Sequence, residues 1–167
     1  ATIDRIEERT GAEVVVYTQV KPGATTESTE EDAIALIDQW GVGRQGFDDG
    51  LAILMNVYTE AGGRVRGQVQ LYAAPGFRAL YLTNAERQQI YEEEMLPRLR
   101  EQQFGNALLV ALARIDAAAT AERAGQLQLA RQAFDYWGSD DPKRLRHWLG
   151  ATYRDFNYTF DQRHQLL

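Results

Sequence analysis

The hydrophobic and polar positions along this chain alternate between two periods. Residues 3–10 set Ile3 and Ile6 on one face with Gly11 behind them, which predicts the end of a helix and its stop. Residues 13–20 (EVVVYTQV) are rich in β-branched side chains and predict a buried strand, broken by Lys21, Pro22 and Gly23. Ser28 and Glu31 have capping-box spacing, and Ala33, Ile34, Ile37 and Trp40 then predict the apolar stripe of a helix. Residues 51–57 (LAILMNV) form a continuous apolar run suited to a central strand. Residues 64–73 alternate with a period of two, and the short link before them predicts an antiparallel hairpin.

The second half reads as helical. Thr83 and Glu86 make another capping box, and Tyr91, Met95 and Leu99 recur every four residues, with Pro97 expected to kink or restart the helix. From Asn106 a helix carries Leu108, Leu112 and Ile115 and is expected to run past Thr120 towards Phe134, since only Gly125 interrupts it. Residues 138–142 end it, and a short helix over 143–149 and an aromatic tail follow. The order α-β-α-β-β-α-α predicts an α/β domain, a small mixed central sheet sandwiched by helices, with a helical C-terminal extension. The expected boundaries are 1–122 for the domain and 123–167 for the extension.

Composition narrows the class. The chain has 167 residues, 44% hydrophobic and 25% charged, which is globular usage, and no cysteine, which excludes thiol nucleophiles and thiolate metal sites. The net charge is −6, and residues 1–122 hold 11 Lys/Arg against 19 Asp/Glu. An acidic domain of this kind repels nucleic acid, which needs clustered cations. No apolar run is long enough to span a membrane, and the abrupt start without Met is read as a trimmed end from which targeting or anchor segments were removed.

Several residues carry candidate chemistry. Asp48 and Asp49 precede Gly50 in a glycine-rich loop. Paired carboxylates there suit a hard cation such as Ca²⁺, and equally suit a polar turn entering a strand. The loop from Gly41 to Gly50 lacks the Lys and the Ser/Thr of a phosphate loop. Glu92, Glu93 and Glu94 lie about 100° apart on a helix and read as a solvated face. His147 and His164 have no metal-ligand spacing. The tail holds 8 of the 17 aromatic residues, among them Trp137, Trp148, Tyr153, Phe156, Tyr158 and Phe160. Most of these are expected to pack on the domain and part to face a protein partner or a membrane interface.

In order along the chain stand Thr10-Gly11, Trp40-Gly41-Val42-Gly43, Asp48-Asp49-Gly50-Leu51, Leu82-Thr83-Asn84, Met95-Leu96-Pro97 and Phe104-Gly105-Asn106-Ala107. The set resembles the TPM domain over roughly residues 3–120. The resemblance implies an extracytoplasmic domain, usually tethered to a membrane, or lodged in the thylakoid lumen in plants. Its members have been linked to acid-phosphatase activity, photosystem repair and receptor modulation, and some bind calcium. By that likeness the metal residues are Asp48, Asp49 and Asn84. The chain departs from the pattern at Arg78 and Ala79, where a Glu is expected nearby, and at Asn84, where an Asp is expected. A calcium site is therefore expected to be weak, incomplete or missing. The reading that follows is a membrane-tethered accessory or assembly module with a protein partner and a degenerate metal site. The alternative is a Ca- or Mg-dependent acid phosphatase using Asp48 and Asp49.

Overall fold

The computed structural model describes residues 1–137, with side-chain detail through residue 132. The aromatic tail, both histidines and the expected helix over 143–149 lie outside the described residues.

Three strands make the sheet, in the order β1 (Glu13–Val20), β2 (Gly50–Thr59), β3 (Val65–Ala73). β1 runs parallel to β2, and β3 returns antiparallel through a turn in which Gly63 donates to the Glu60 carbonyl at 2.9 Å. The mixed sheet has helices on both faces. Leu51 and Ile53 of β2 enter one core with Ile6, Leu71, Phe77, Tyr81, Ile90 and Ile115. Ala52 and Leu54 enter the other with Ala33, Leu36, Ile37 and Ala74. A strand covered on both faces has no use for polar positions, which explains its continuous apolar run. Each such large side chain contributes roughly 1.5–3 kcal/mol relative to exposure.

α1 (Thr2–Thr10) stops at Gly11, whose φ of 74° lets its N–H reach the Glu7 carbonyl at 2.7 Å. α2 (Thr26–Trp40) begins three residues earlier than the Ser28 capping box predicts. Thr25 is the cap: its hydroxyl accepts from the Ser28 N–H, and the Ser28 hydroxyl accepts from the Thr25 N–H. The buried face of α2 is Thr29, Ala33, Leu36 and Ile37. Ile34 and Trp40 lie outside it, Trp40 being 58% exposed with its ring edge-on to Tyr17.

α3 (Pro75–Leu80) was not expected, although Pro75 in the first helical position is a start signal. α4 (Asn84–Gln89) opens on the Thr83–Glu86 capping box as predicted. Pro97 restarts the helix, as expected. A π-helical stretch over Ile90–Met95 widens the turn, and α5 (Leu96–Arg100) restarts with Pro97 in its first turn.

α6 (Phe104–Ala118) and α7 (Ala121–Trp137) are two helices, where one continuous helix was expected. They meet at a bend of 60°. The cause is polar chemistry at the joint. The Thr120 hydroxyl accepts from the Arg123 N–H, and the Arg123 guanidinium donates to the carbonyls of Ala118 and Tyr81. The bend turns α7 back onto α1 and α3. Among the described residues no single helix is long and apolar enough to cross a membrane.

Candidate functional site

The site is built from the loop joining α2 to β2. Gly41 ends α2 with φ 65°, and Gly43, at φ 100°, turns the chain back against β2. A Cβ on Gly43 would stand 2.5 Å from the Gly50 nitrogen, so the two backbones touch where any side chain would hold them apart. The Gly43 N–H donates to the Glu13 carboxylate at 2.8 Å, tying the loop to β1. Asp48 takes a left-handed φ of 50°, which Asp tolerates, and its carbonyl accepts from the N–H groups of Gly76 and Phe77. This folds α3 onto the loop.

Asp49 follows, with no exposed surface. Its Oδ1 accepts from the backbone N–H of Arg44 at 2.7 Å. Its Oδ2 accepts from Arg44 Nε at 2.9 Å and Nη2 at 2.7 Å. Both carboxylate oxygens are thus held by one residue. The guanidinium carbon lies over the Phe47 ring, 4.2 Å from its centre, and the group sits against Gly11, where a Cβ would come within 2.7 Å of it. The Thr10-Gly11 motif therefore leaves room for Arg44. Arg131 of α7 lies against Gly46, so α7 also reaches this loop.

Burial pushes the Asp49 carboxyl above the usual carboxylate range, and the Arg44 hydrogen bonds and charge oppose that. The neighbouring Tyr81 phenol is buried, and among the described residues its hydroxyl makes no hydrogen bond. Burial first, and the Asp49 charge second, push it up to about 12.

Asn84, the third residue singled out for a metal, does not share this arrangement. It lines a cavity of about 360 Å³ beside β3, and its Oδ1 accepts from Arg87 Nη2. Arg87 also donates to the carbonyls of Leu71 and Leu82. Arg78 lines the same cavity and lies 5.9 Å above the Tyr72 ring. Among the described residues no three His, Asp or Glu side chains converge in a way that could hold a metal ion.

Sequence reasoning missed Arg44 and Arg87, the two residues that engage the predicted ligands. Arg44 precedes Asp49 by five residues in a loop of glycines, where spacing does not reveal which side chains meet. A second polar cluster was missed too. Buried Asn56 donates to Thr29 and Asp32, Gln19 donates to Asn56, and Lys21 pairs with Asp32 at 2.6 Å. Its groups satisfy one another, and it reads as the polar tie of α2 to the sheet.

Comparison with known proteins follows the same outline. No curated protein matches the chain. The solution structure of the N-terminal domain of a protein from P. gingivalis is similar to it, with a TM-score of 0.56 at 20% identity, covering 70% of this chain and 68% of that one. That likeness concerns the fold. The TPM domain family matches residues 1–118, which take in both cores apart from Ala119 and Ala124, the α2–β2 loop and the Asn84 cavity. The chain belongs to the TPM domain family.

Proposed function

We propose that this chain is an extracytoplasmic, membrane-tethered accessory or assembly module of the TPM type, in which the Arg44 guanidinium takes the part of a metal ion. The observation that carries the reading is the pairing of buried Asp49 with half-buried Arg44. Both Asp49 oxygens are engaged, and a positive charge sits 2.7 Å from the one a cation would need. At Asn84 the side-chain oxygen is engaged by a second guanidinium. Calcium takes six to eight oxygen ligands. These residues do not fit it, because a divalent ion would have to displace Arg44 and then sit beside its charge.

A metal-assisted phosphatase needs an ion that polarises phosphate and positions water. Among the described residues no cluster of side chains offers such an ion a place, and Asp48 and Asp49 have a structural role: the backbone carbonyl of the first and the carboxylate of the second fix the loop on which β2, α3 and α7 converge. The compartment and the tether rest on family membership, and the partner is expected to be a protein at or near a membrane.

Two measurements test this. Hydrolysis of p-nitrophenyl phosphate with Ca²⁺ or Mg²⁺ should be no faster with the wild type than with Asp49→Asn. Protease treatment of intact cells should digest the protein without lysis. Metal-dependent turnover lost in Asp49→Asn would establish the phosphatase instead, and protection until lysis would contradict the compartment.

A further inference from the structure

β1 and β3 are the two edges of the three-stranded sheet. Side chains interrupt the edge of β3. The Gln102 amide accepts from the Val65 N–H at 2.8 Å and donates to the Val65 carbonyl at 3.0 Å, and Arg87 Nε donates to the Leu71 carbonyl. β1 has no such guard. The Lys21 N–H donates to the Val57 carbonyl at 3.0 Å, so odd-numbered residues of β1 turn their backbone groups to β2 and even-numbered ones turn theirs outward. Among the described residues, the outward groups of Val16, Thr18 and Val20 have no hydrogen-bond partner. Between Glu13 and Lys21 the strand carries neither a charge nor a proline, the devices that keep strand edges apart.

What fits this edge follows from how its two halves differ. Val14 is buried in the same core as Ile6 of α1, while Thr18 is exposed and Val20 is 80% exposed. One half of the strand is covered and the other is bare. A second copy laid antiparallel reverses that order and sets each bare half beside a covered one. With the register centred on Tyr17, Val16 stands opposite Thr18 and Val14 opposite Val20 as hydrogen-bonded pairs, and Tyr17 meets its own copy on the two-fold axis. The same register sets Glu13 opposite Lys21, so the strand ends meet with opposite charge. Both keep their own partners, the Gly43 N–H for Glu13 and Asp32 for Lys21. α2 packs over β2 and β3, and Tyr17 is half-buried with the exposed Trp40 edge-on to its ring. The two-fold axis gathers both of these aromatic pairs on one face.

We infer that two copies of this chain join through β1 about a two-fold axis at Tyr17, continuing the mixed sheet across both. The pairing is self-complementary in cover, in backbone hydrogen bonding and in charge. It closes at two copies, because the other edge of each sheet is interrupted by Gln102 and Arg87. The inference goes beyond the accessory role, which rests on Asp49 and Arg44 and would survive its failure.

The test uses the full chain. Sedimentation velocity at about 100 µM should give twice the 18.9 kDa mass of the chain, with a Kd of about 10 µM or tighter. Thr18→Pro removes an outward N–H that the chain's own sheet does not use. It should raise Kd at least about a hundredfold while circular dichroism is unchanged. Thr18→Lys, at the same exposed position, should weaken the dimer too. The chain has no cysteine, so one can be placed alone. Tyr17→Cys should give a disulfide-linked dimer with oxidised glutathione, since the Cα atoms of such a facing pair stand about 4.5 Å apart. Val20→Cys is more exposed but stands about 20 Å from its copy in this register, and should not cross-link. A monomer at about 100 µM would overturn the inference. So would a dimer that both Thr18 variants leave unchanged, or equal cross-linking of the two cysteine variants. Val16 and Thr18 amides protected from exchange in a monomer would also overturn it, by showing that another part of the same chain covers the edge.

Discussion

Arg44 holds both carboxylate oxygens of Asp49, one through its backbone N–H and the other through its guanidinium, and the carboxylate has no exposed surface. The pair spans only five residues, yet it decides where the α2–β2 loop, Gly11 and Phe47 sit. Removing Arg44, itself one-third exposed, leaves the buried Asp49 charge uncompensated, at about 3 kcal/mol, the lower end of the range for breaking a buried pair. Arg44→Gln should therefore lower stability by about that much at neutral pH in urea unfolding. Its deficit should shrink as pH falls. Asp49 is an acid raised by burial, so without Arg44 the folded state binds a proton more tightly than the unfolded state, and stability lost at high pH returns at low pH. Arg44→Gln with Asp49→Asn should cost less than the sum of the two single changes, because neither charge is then stranded. Additive losses would show that the pair is not coupled.

Gly76 is a steric requirement. A Cβ there would lie 1.8 Å from the Phe47 carbonyl oxygen and 3.0 Å from that of Asp48. Gly76→Ala should destabilise by roughly 3 kcal/mol, the upper part of the range for overpacking. Gly62→Ala is the control, since it meets nothing within 4 Å and needs no left-handed φ. It should change stability by no more than about 0.5 kcal/mol. Thermal unfolding of both variants checks the contrast, and similar Tm values would contradict it.

Tyr81 makes stability fall in alkali. Its phenol titrates at about 12 when folded and at about 10 when unfolded. Between those values the unfolded chain gives up a proton that the folded one keeps, so stability declines as pH rises, by roughly 2–3 kcal/mol in total. Tyr81→Phe removes that decline. Near pH 7 it should change stability by less than about 1 kcal/mol, because the hydroxyl makes no hydrogen bond among the described residues. Urea unfolding at about pH 8 and about pH 11.5 compares the two proteins, and parallel losses would refute the assignment to Tyr81.

Much of the fold was legible because burial writes periods into sequence. The two-sided cover of β2 and the one wetter side of β3 were both visible as patterns. Where reading failed, a local polar contact outweighed the pattern. Thr25 capped α2 ahead of Ser28. Thr120 and Arg123 split one expected helix into two. The site was half legible. Asp48 and Asp49 were found from their place before Gly50, and Asp49 lies at the centre of the loop. Asn84 was drawn from family likeness and lies in a different cavity, held by Arg87. Arg44 could not be chosen in advance, because three glycines with positive φ, Gly41, Gly43 and Gly46, set the path of this loop.

The claim that the Arg44 charge takes the part of a metal ion is tested most directly by calorimetric titration of the full chain with Ca²⁺. The account predicts no saturable heat up to about 1 mM, well above the range of Ca²⁺ sensor sites, and the same trace for Asp49→Asn. A saturating isotherm in the wild type that Asp49→Asn abolishes would contradict it.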